Sequence, residues 1–150
     1  HLIDFSTRLA ILMNKKNLNK ISKNLKLSKD EVFKIKKILS LHKNFDFKDF
    51  KKNKTKYIYY YGYDECLSLL IFNFANFPNK FNSKDYLKII LSLKNLKIPN
   101  LPISGKDIIK LGVKSGPKVG KILELIESWW VLNNFKPSKK ECVERLKDYN

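Results

Sequence analysis

Acidic residues are scarce in this chain: 14 Asp and Glu stand against 31 Lys and Arg, a formal net charge of +17. That imbalance excludes a neutral or acidic surface and draws polyanions to the protein whatever its fold. Arginine is scarcer still, with Arg8 and Arg145 alone. Bidentate readout of guanine in a DNA groove therefore has few candidates, whereas lysine point charges suit contact with phosphates that positions without reading sequence. A codon bias toward Lys, Asn and Ile is the plain alternative source of the charge. Cysteine is limited to Cys66 and Cys142, histidine to His1 and His42, and none of the four has metal-ligand spacing. A zinc site is not expected, and both thiols read as small core residues. Long apolar runs are missing, because charges interrupt every one, so no segment spans a bilayer. The opening His-Leu-Ile-Asp-Phe has neither the basic start nor the apolar stretch of a signal peptide, and a soluble, cytoplasmic chain is expected. Paired carboxylates, a Ser-His-Asp set and a Cys-His set are missing too. Asp64 and Glu65 are adjacent, so a helix points them about 100° apart, poorly placed to share a metal. No catalytic residue and no metal ligand is expected.

What is present is helix. Hydrophobic residues make up 43% of the 150, enough to exclude disorder and to bury about two-thirds of the unfolded surface. Leu2, Phe5, Leu9 and Leu12 share one face of an opening helix, widened by Ile11 and Met13. A second helix is predicted over 17–24, carrying Leu18, Ile21 and Leu25. Ser28 and Glu31 form a capping box that opens a helix with Val32, Ile35, Ile38 and Leu39 inward. Asp46 to Lys52 reads as one or two helical turns, and Lys56 to Phe77 as one long helix. Its β-favouring run Tyr57 to Tyr61 has no second strand to pair with. Tyr57, Tyr60 and Tyr61 are placed either to stack on unpaired bases beside lysines or to pack between helices, and packing is the favoured reading. Ser83 to Leu93 and Pro137 to Leu146 complete the pattern, the latter capped by Ser138 and Glu141. The segments 77–82 and 97–102 are linker candidates. Fold class is all-α: a multi-helix, bundle-like body over 1–96, then a small helical tail over 97–150.

The tail holds the densest information. Ser104 is a candidate N-cap with Asp107 in the first turn, and Ile108, Ile109 and Leu111 give the short helix an apolar side. Gly112 sits where a left-handed residue stops a helix, and Gly116-Pro117 restarts one with proline at its first position. Free amides at that second start, beside Lys114, Lys118 and Lys121, make an anion site suited to phosphate. A P-loop is excluded by Asn100 and Asp107 where glycine and Ser/Thr belong, and a dinucleotide fingerprint by the absence of a preceding strand. A helix-hairpin-helix turn matches at Gly112-Val113 and Gly116-Pro117-Lys118, with Lys114-Ser115 extra. A helix C-cap followed by an N-cap explains the glycines without any ligand. Trp129 and Trp130 follow the apolar face of Val119, Ile122, Leu123 and Ile126 and are expected to be buried against the first tail helix.

The order of these pieces resembles the C-terminal helical portion of bacterial tRNA nucleotidyltransferases and the related poly(A) polymerases. Ser6-Thr-Arg-Leu-Ala-Ile-Leu-Met13 is similar to the family's Arg-Leu-Ala-x-Leu helix, and Leu25-Lys-Leu-Ser-Lys-Asp-Glu31 to its Leu-x-Leu-Ser-x-x-Glu. Lys56-Tyr-Ile-Tyr-Tyr-Tyr-Gly62 occupies the place of a basic-x-x-x-Tyr-x-x-Gly helix with looser spacing. Pro102-Ile-Ser-Gly-Lys-Asp107, Leu111-Gly-Val113, Gly116-Pro-Lys-Val-Gly120 and Trp129-Trp130 resemble the family's tail motif along its length.

The resemblance implies that nucleotidyl transfer belongs to an N-terminal catalytic head, with its Gly-Ser and Asp-x-Asp motif. Mg²⁺ and nucleoside triphosphates are expected only there, and no cofactor in this chain. No such motif occurs here, so the chain is expected to correspond to body and tail and to transfer nothing alone. Its implied role is to hold tRNA, or another RNA, through its backbone. Lys114, Ser115, Gly116, Lys118 and Lys121 are the first-rank candidates, with Lys106 and Lys110 behind them. Gly112 and Gly116 would act by permitting backbone geometry. Lys118 departs from the acid expected at that position in many members. A stand-alone helix-hairpin-helix DNA-binding module and a helical scaffold are the competing functions.

Overall fold

The computed structural model describes residues 3–13 and 18–149. His1, Leu2 at the head of the opening helix and Asn17 at the start of the second lie outside the described residues. Among the described residues the regular elements are α-helices and short 3₁₀ turns with no strand, the all-α class expected. The chain divides into two compact units, one ending at Lys97 and one beginning at Ile98.

The first unit contains α1 (Phe5–Met13), α2 (Leu18–Asn24), α3 (Lys29–Leu41), α4 (Phe47–Tyr61), α5 (Tyr63–Asn76) and α6 (Ser83–Lys94). Helix α5 is its centre: Cys66, Leu67, Leu69, Leu70, Phe72 and Asn73 are buried, covering more than one side of the helix. One side packs Phe72 with Ala10, Met13, Ile35 and Ile38 from α1 and α3. Another packs Cys66 and Leu70 with Phe50, Ile58, Tyr86, Ile89 and Leu93 from α4 and α6. Burial pushes the Cys66 thiol up to about 12, so this cysteine is an unreactive core residue.

Three sequence expectations change here. The buried face of α1 is Ser6, Thr7, Ala10 and Met13, whereas Phe5 and Leu12 are 46% and 80% exposed. Small residues at this i, i+3/i+4 spacing let neighbouring helices come close, and Thr7 Oγ1 hydrogen-bonds Ser68 Oγ on α5 at 2.9 Å. The long helix expected over Lys56 to Phe77 is broken at Gly62, whose φ of +88° only glycine adopts readily. Its first part joins the expected Asp46–Lys52 turns into α4, capped by Asp46 and bent at Asn53 (φ −115°, ψ 28°). Finally, the linker candidate at 77–82 lies inside the first unit. It carries a 3₁₀ turn, Pro78–Lys80, and Phe81 packs edge-on against Phe47 at 4.8 Å.

The second unit holds α7 (Gly105–Lys110), α8 (Pro117–Leu132) and α9 (Lys139–Leu146). Its core is Ile103, Ile108, Val113, Ile122, Ile126, Trp130, Val131, Cys142 and Leu146. Trp130 donates from Nε1 to the Pro137 carbonyl at 3.0 Å and meets Phe135 edge-on at 5.0 Å. Those contacts hold the α8–α9 connection, where Asn134 and Phe135 both adopt left-handed backbone. Trp129, expected to be buried beside its neighbour, is only partly covered, with the Arg145 guanidinium 6.0 Å from its ring. Successive residues on a helix point about 100° apart, and the buried side of α8 at this level runs through Trp130 and Val131, which leaves Trp129 at its edge.

Candidate nucleic-acid interface

Helix α7 starts where the sequence places it. Ser104 donates from both its backbone N–H and its hydroxyl to Asp107 Oδ2, each at 2.9 Å. The other oxygen of that carboxylate meets Lys139 Nζ of α9 at 2.8 Å, tying α7 to α9. The Lys139 ammonium, then the two Ser104 donors, hold the Asp107 carboxyl at about 2. The acid is thus consumed by structure and leaves the lysines of the turn unneutralised. Because its folded pKa lies below the unfolded value, Asp107 stabilises the tail above the unfolded pKa, and that contribution disappears as pH falls toward the folded one. Thermal midpoints of the native chain and Asp107→Asn are expected to differ at neutral pH and to converge between about pH 4 and pH 2. A gap that stays constant over that range would show that the carboxylate charge plays no part.

The α7–α8 turn follows from three residues. Gly112 takes φ +91° just past the end of α7 and reverses the chain. Val113 is 7% exposed and pins the turn to the core. Gly116, at φ 146° and ψ −168°, occupies a region that is essentially glycine-only, and it feeds Pro117 into the first position of α8. Gly116 can offer no side-chain cap, and the first turn of α8 has no acid. By contrast α3, α4, α6, α7 and α9 all have an acid in the first turn. Pro117 has no N–H, and the Val119 N–H bonds the Gly116 carbonyl at 3.0 Å. The start of α8 therefore presents chiefly the positive end of the helix dipole, with Lys118 the first residue of the helix to carry an N–H.

All seven predicted contact residues, Lys106, Lys110, Lys114, Ser115, Gly116, Lys118 and Lys121, are exposed. The ion pairs among the described residues use Lys37, Lys51, Lys139 and Arg145, so none of these five lysines is neutralised by one. Lys114, Ser115 and Gly116 occupy the turn itself, Lys118 stands in the first turn of α8, and Lys121 follows three residues later on the same side of the helix. Lys106 and Lys110 share a face of α7, on the other side of the Gly112 reversal. Such an arrangement of lysine charge, a helix start and a glycine-built turn suits the phosphates of a nucleic-acid backbone.

Two further surface features escaped the sequence reading. A hollow of about 460 Å³ on the tail is lined by Trp129, Lys136, Glu141, Glu144, Arg145 and Asp148, a mixture of charges with no net attraction for a polyanion. On α4, Tyr60 and Tyr61 are 56% and 39% exposed, their rings meeting Tyr59 at 5.6 Å and Tyr57 at 6.1 Å, so neither fills the favoured core role. Tyr57 alone of the three is packed against the core cluster. The signal lay in Asp49 and Asn53, which occupy the tyrosines' own helical face and make it polar. Among the described residues no group of His, Cys, Asp and Glu is gathered to hold a metal ion.

The family model for tRNA nucleotidyltransferase domain 2 matches residues 5–146, nearly the whole chain and both of its units. The chain belongs to that family. Three similar proteins bear the name CCA tRNA nucleotidyltransferase 1, mitochondrial: those of Danio rerio (36% identical), Homo sapiens (29%) and Mus musculus (27%). Each match covers 59 residues, 39% of this chain but only 14% of the relative. No solved structure matches it. Among the described residues of this tRNA nucleotidyltransferase domain 2 family member, no helix is long and apolar enough to cross a membrane.

Proposed function

We propose that this domain holds tRNA by its sugar-phosphate backbone while a catalytic head extends the RNA 3′ end by CCA addition. The observation that carries the reading is the turn from Gly112 to Lys121. Two glycines with positive φ build a corner, and a helix start without a side-chain cap faces out amid lysines that enter no ion pair among the described residues. A-form RNA is recognised mainly by shape, phosphates and 2′-hydroxyls, and such a corner supplies donors and charge for that purpose. The names of the similar proteins favour CCA addition over the poly(A) polymerase activity of related enzymes. In this reading the head also binds the Mg²⁺ and nucleoside triphosphates. Two buried, unpaired thiols suit a reducing compartment, the cytoplasm and the mitochondrial matrix alike. Fluorescence anisotropy tests the proposal: the chain is expected to bind a blunt tRNA minihelix more tightly than a DNA duplex of equal length. Preference for the DNA would replace this reading with a helix-hairpin-helix DNA-binding module, and weak, indiscriminate binding with a scaffold.

A further inference from the structure

The exposed tyrosines of α4 have no place in a backbone-gripping turn, and they lie in the other compact unit. Asp49, Asn53, Tyr57, Tyr60 and Tyr61 fall on one side of α4 and, with Lys56, line a shallow hollow of about 210 Å³. Its wall is pre-ordered: Tyr57 donates its hydroxyl to Asp49 Oδ2 at 2.7 Å, and Asn53 donates from Nδ2 to Oδ1 at 2.8 Å. These hydrogen bonds, and the fields of Lys52 and Lys56, hold the Asp49 carboxyl below its usual range. Lys56 lines the hollow, and Lys52 and Lys48 precede it along α4 at four-residue spacing. Among the described residues Lys48, Lys52 and Lys56 enter no ion pair, whereas neighbouring Lys51 meets Asp85 at 2.9 Å. Like charges at i and i+4 repel, and the three lysines outnumber the two nearby acids, Asp46 and Asp49, so the strip stays net positive.

We propose that this α4 face is a second nucleic-acid site, at which Tyr60 and Tyr61 stack unpaired bases of a single-stranded RNA segment and Lys48, Lys52 and Lys56 take its phosphates. Exposed rings add nothing to the grip on a duplex, whose bases already stack on one another. For an unpaired base they provide a flat apolar surface, and nearby ammonium groups provide attraction for the backbone that follows it. Eight residues separate Lys48 from Lys56 across the bend at Asn53, at most about 12 Å along the helix, the span of roughly three stacked nucleotides. The Asp49 carboxylate keeps lone pairs to accept from a base amino group or a 2′-hydroxyl at the floor of the hollow. The choice of RNA rests on the proposed function, whereas stacking and charge stand on the geometry alone.

The test uses the full chain and a fluorescent hexamer of riboadenosine, with the blunt tRNA minihelix as the second ligand. Tyr60→Ala with Tyr61→Ala is expected to weaken hexamer binding about tenfold or more and to leave minihelix affinity nearly unchanged. Tyr60→Phe with Tyr61→Phe keeps the rings and should bind as the native chain does. Lys48→Glu with Lys52→Glu should also weaken hexamer binding and flatten its salt dependence by about 0.7 for each phosphate no longer neutralised. Unchanged hexamer affinity in the folded alanine variant overturns the site. Should that variant not fold, unchanged affinity in the glutamate variant overturns it instead, since both lysines are exposed. Tighter binding of the deoxyadenosine hexamer overturns the assignment to RNA. Lys114→Glu with Lys121→Glu separates this proposal from the former one, because it should weaken minihelix binding and spare the hexamer.

Discussion

Replacing Lys114 and Lys121 by glutamate is expected to weaken binding of a tRNA minihelix by on the order of a hundredfold at low salt, with little change in thermal stability. Two unit charges about 4 Å apart attract by about 1 kcal/mol at the dielectric of water, and reversing one of them doubles the change. Two reversals thus span up to about 4 kcal/mol, and screening brings this near the roughly 2.7 kcal/mol that a hundredfold represents. Stability has no reason to follow. Both side chains are exposed and neither enters an ion pair among the described residues, and an acid near the start of α8 interacts favourably with the helix dipole. Anisotropy together with thermal unfolding checks this pair of outcomes. Unchanged affinity would remove the turn from the binding surface, and a large drop in unfolding midpoint would mean that the lysines serve the fold.

Gly116→Val is expected to have the largest effect on stability at the turn, about 1–3 kcal/mol, and to reduce RNA binding with it. A Cβ at this position meets no atom within 4 Å, so the penalty is not steric contact with a neighbour. It lies in the backbone, because φ 146° with ψ −168° is closed to branched side chains. Relief comes only by rotating the chain out of that region, which shifts Ser115 and the first amides of α8. Gly120 is the internal control: a Cβ there also meets nothing within 4 Å, and its φ is ordinary for a helix. Gly120→Ala should therefore stabilise the tail, by roughly 0.5–1 kcal/mol. Equilibrium denaturation of the two variants decides the matter. A neutral Gly116→Val would mean that the turn accepts ordinary backbone geometry and is not a pre-shaped corner.

Local chemistry made much of this fold legible. Ser28 with Glu31 and Ser138 with Glu141 open their helices as capping boxes, because a short hydroxyl and an acid three residues later satisfy amides within one turn. Gly112 and Gly116-Pro117 were readable for the same reason: each answers a backbone requirement a few residues long. Tertiary choices were less visible. In α1 the sequence favours a Phe5, Leu9, Leu12 face, yet α3 and α5 approach on the Ser6, Thr7, Ala10 side, where small residues allow close contact. A lone glycine inside a helical pattern is compatible with continuation, so the break at Gly62 could not be separated from it. The tyrosines show how spacing misleads: i, i+3 and i+4 describe a core stripe and an exposed stripe equally well. Only the polar pair Asp49 and Asn53 on the same side distinguishes the two. In the turn, the sequence pointed to lysines by their crowding around two glycines, and the structure adds that Asp107 is drawn off by Lys139 and cannot neutralise them.

The most direct test of the RNA-holding role is minihelix affinity measured against salt, with the matched DNA duplex alongside. Phosphate contacts from about five lysines give a slope near −4 in the logarithmic plot, so a fourfold rise in salt should weaken binding roughly two- to three-hundredfold. The account predicts that slope together with a clear preference for the tRNA minihelix. A shallow slope, or DNA bound as tightly as the minihelix, would contradict it.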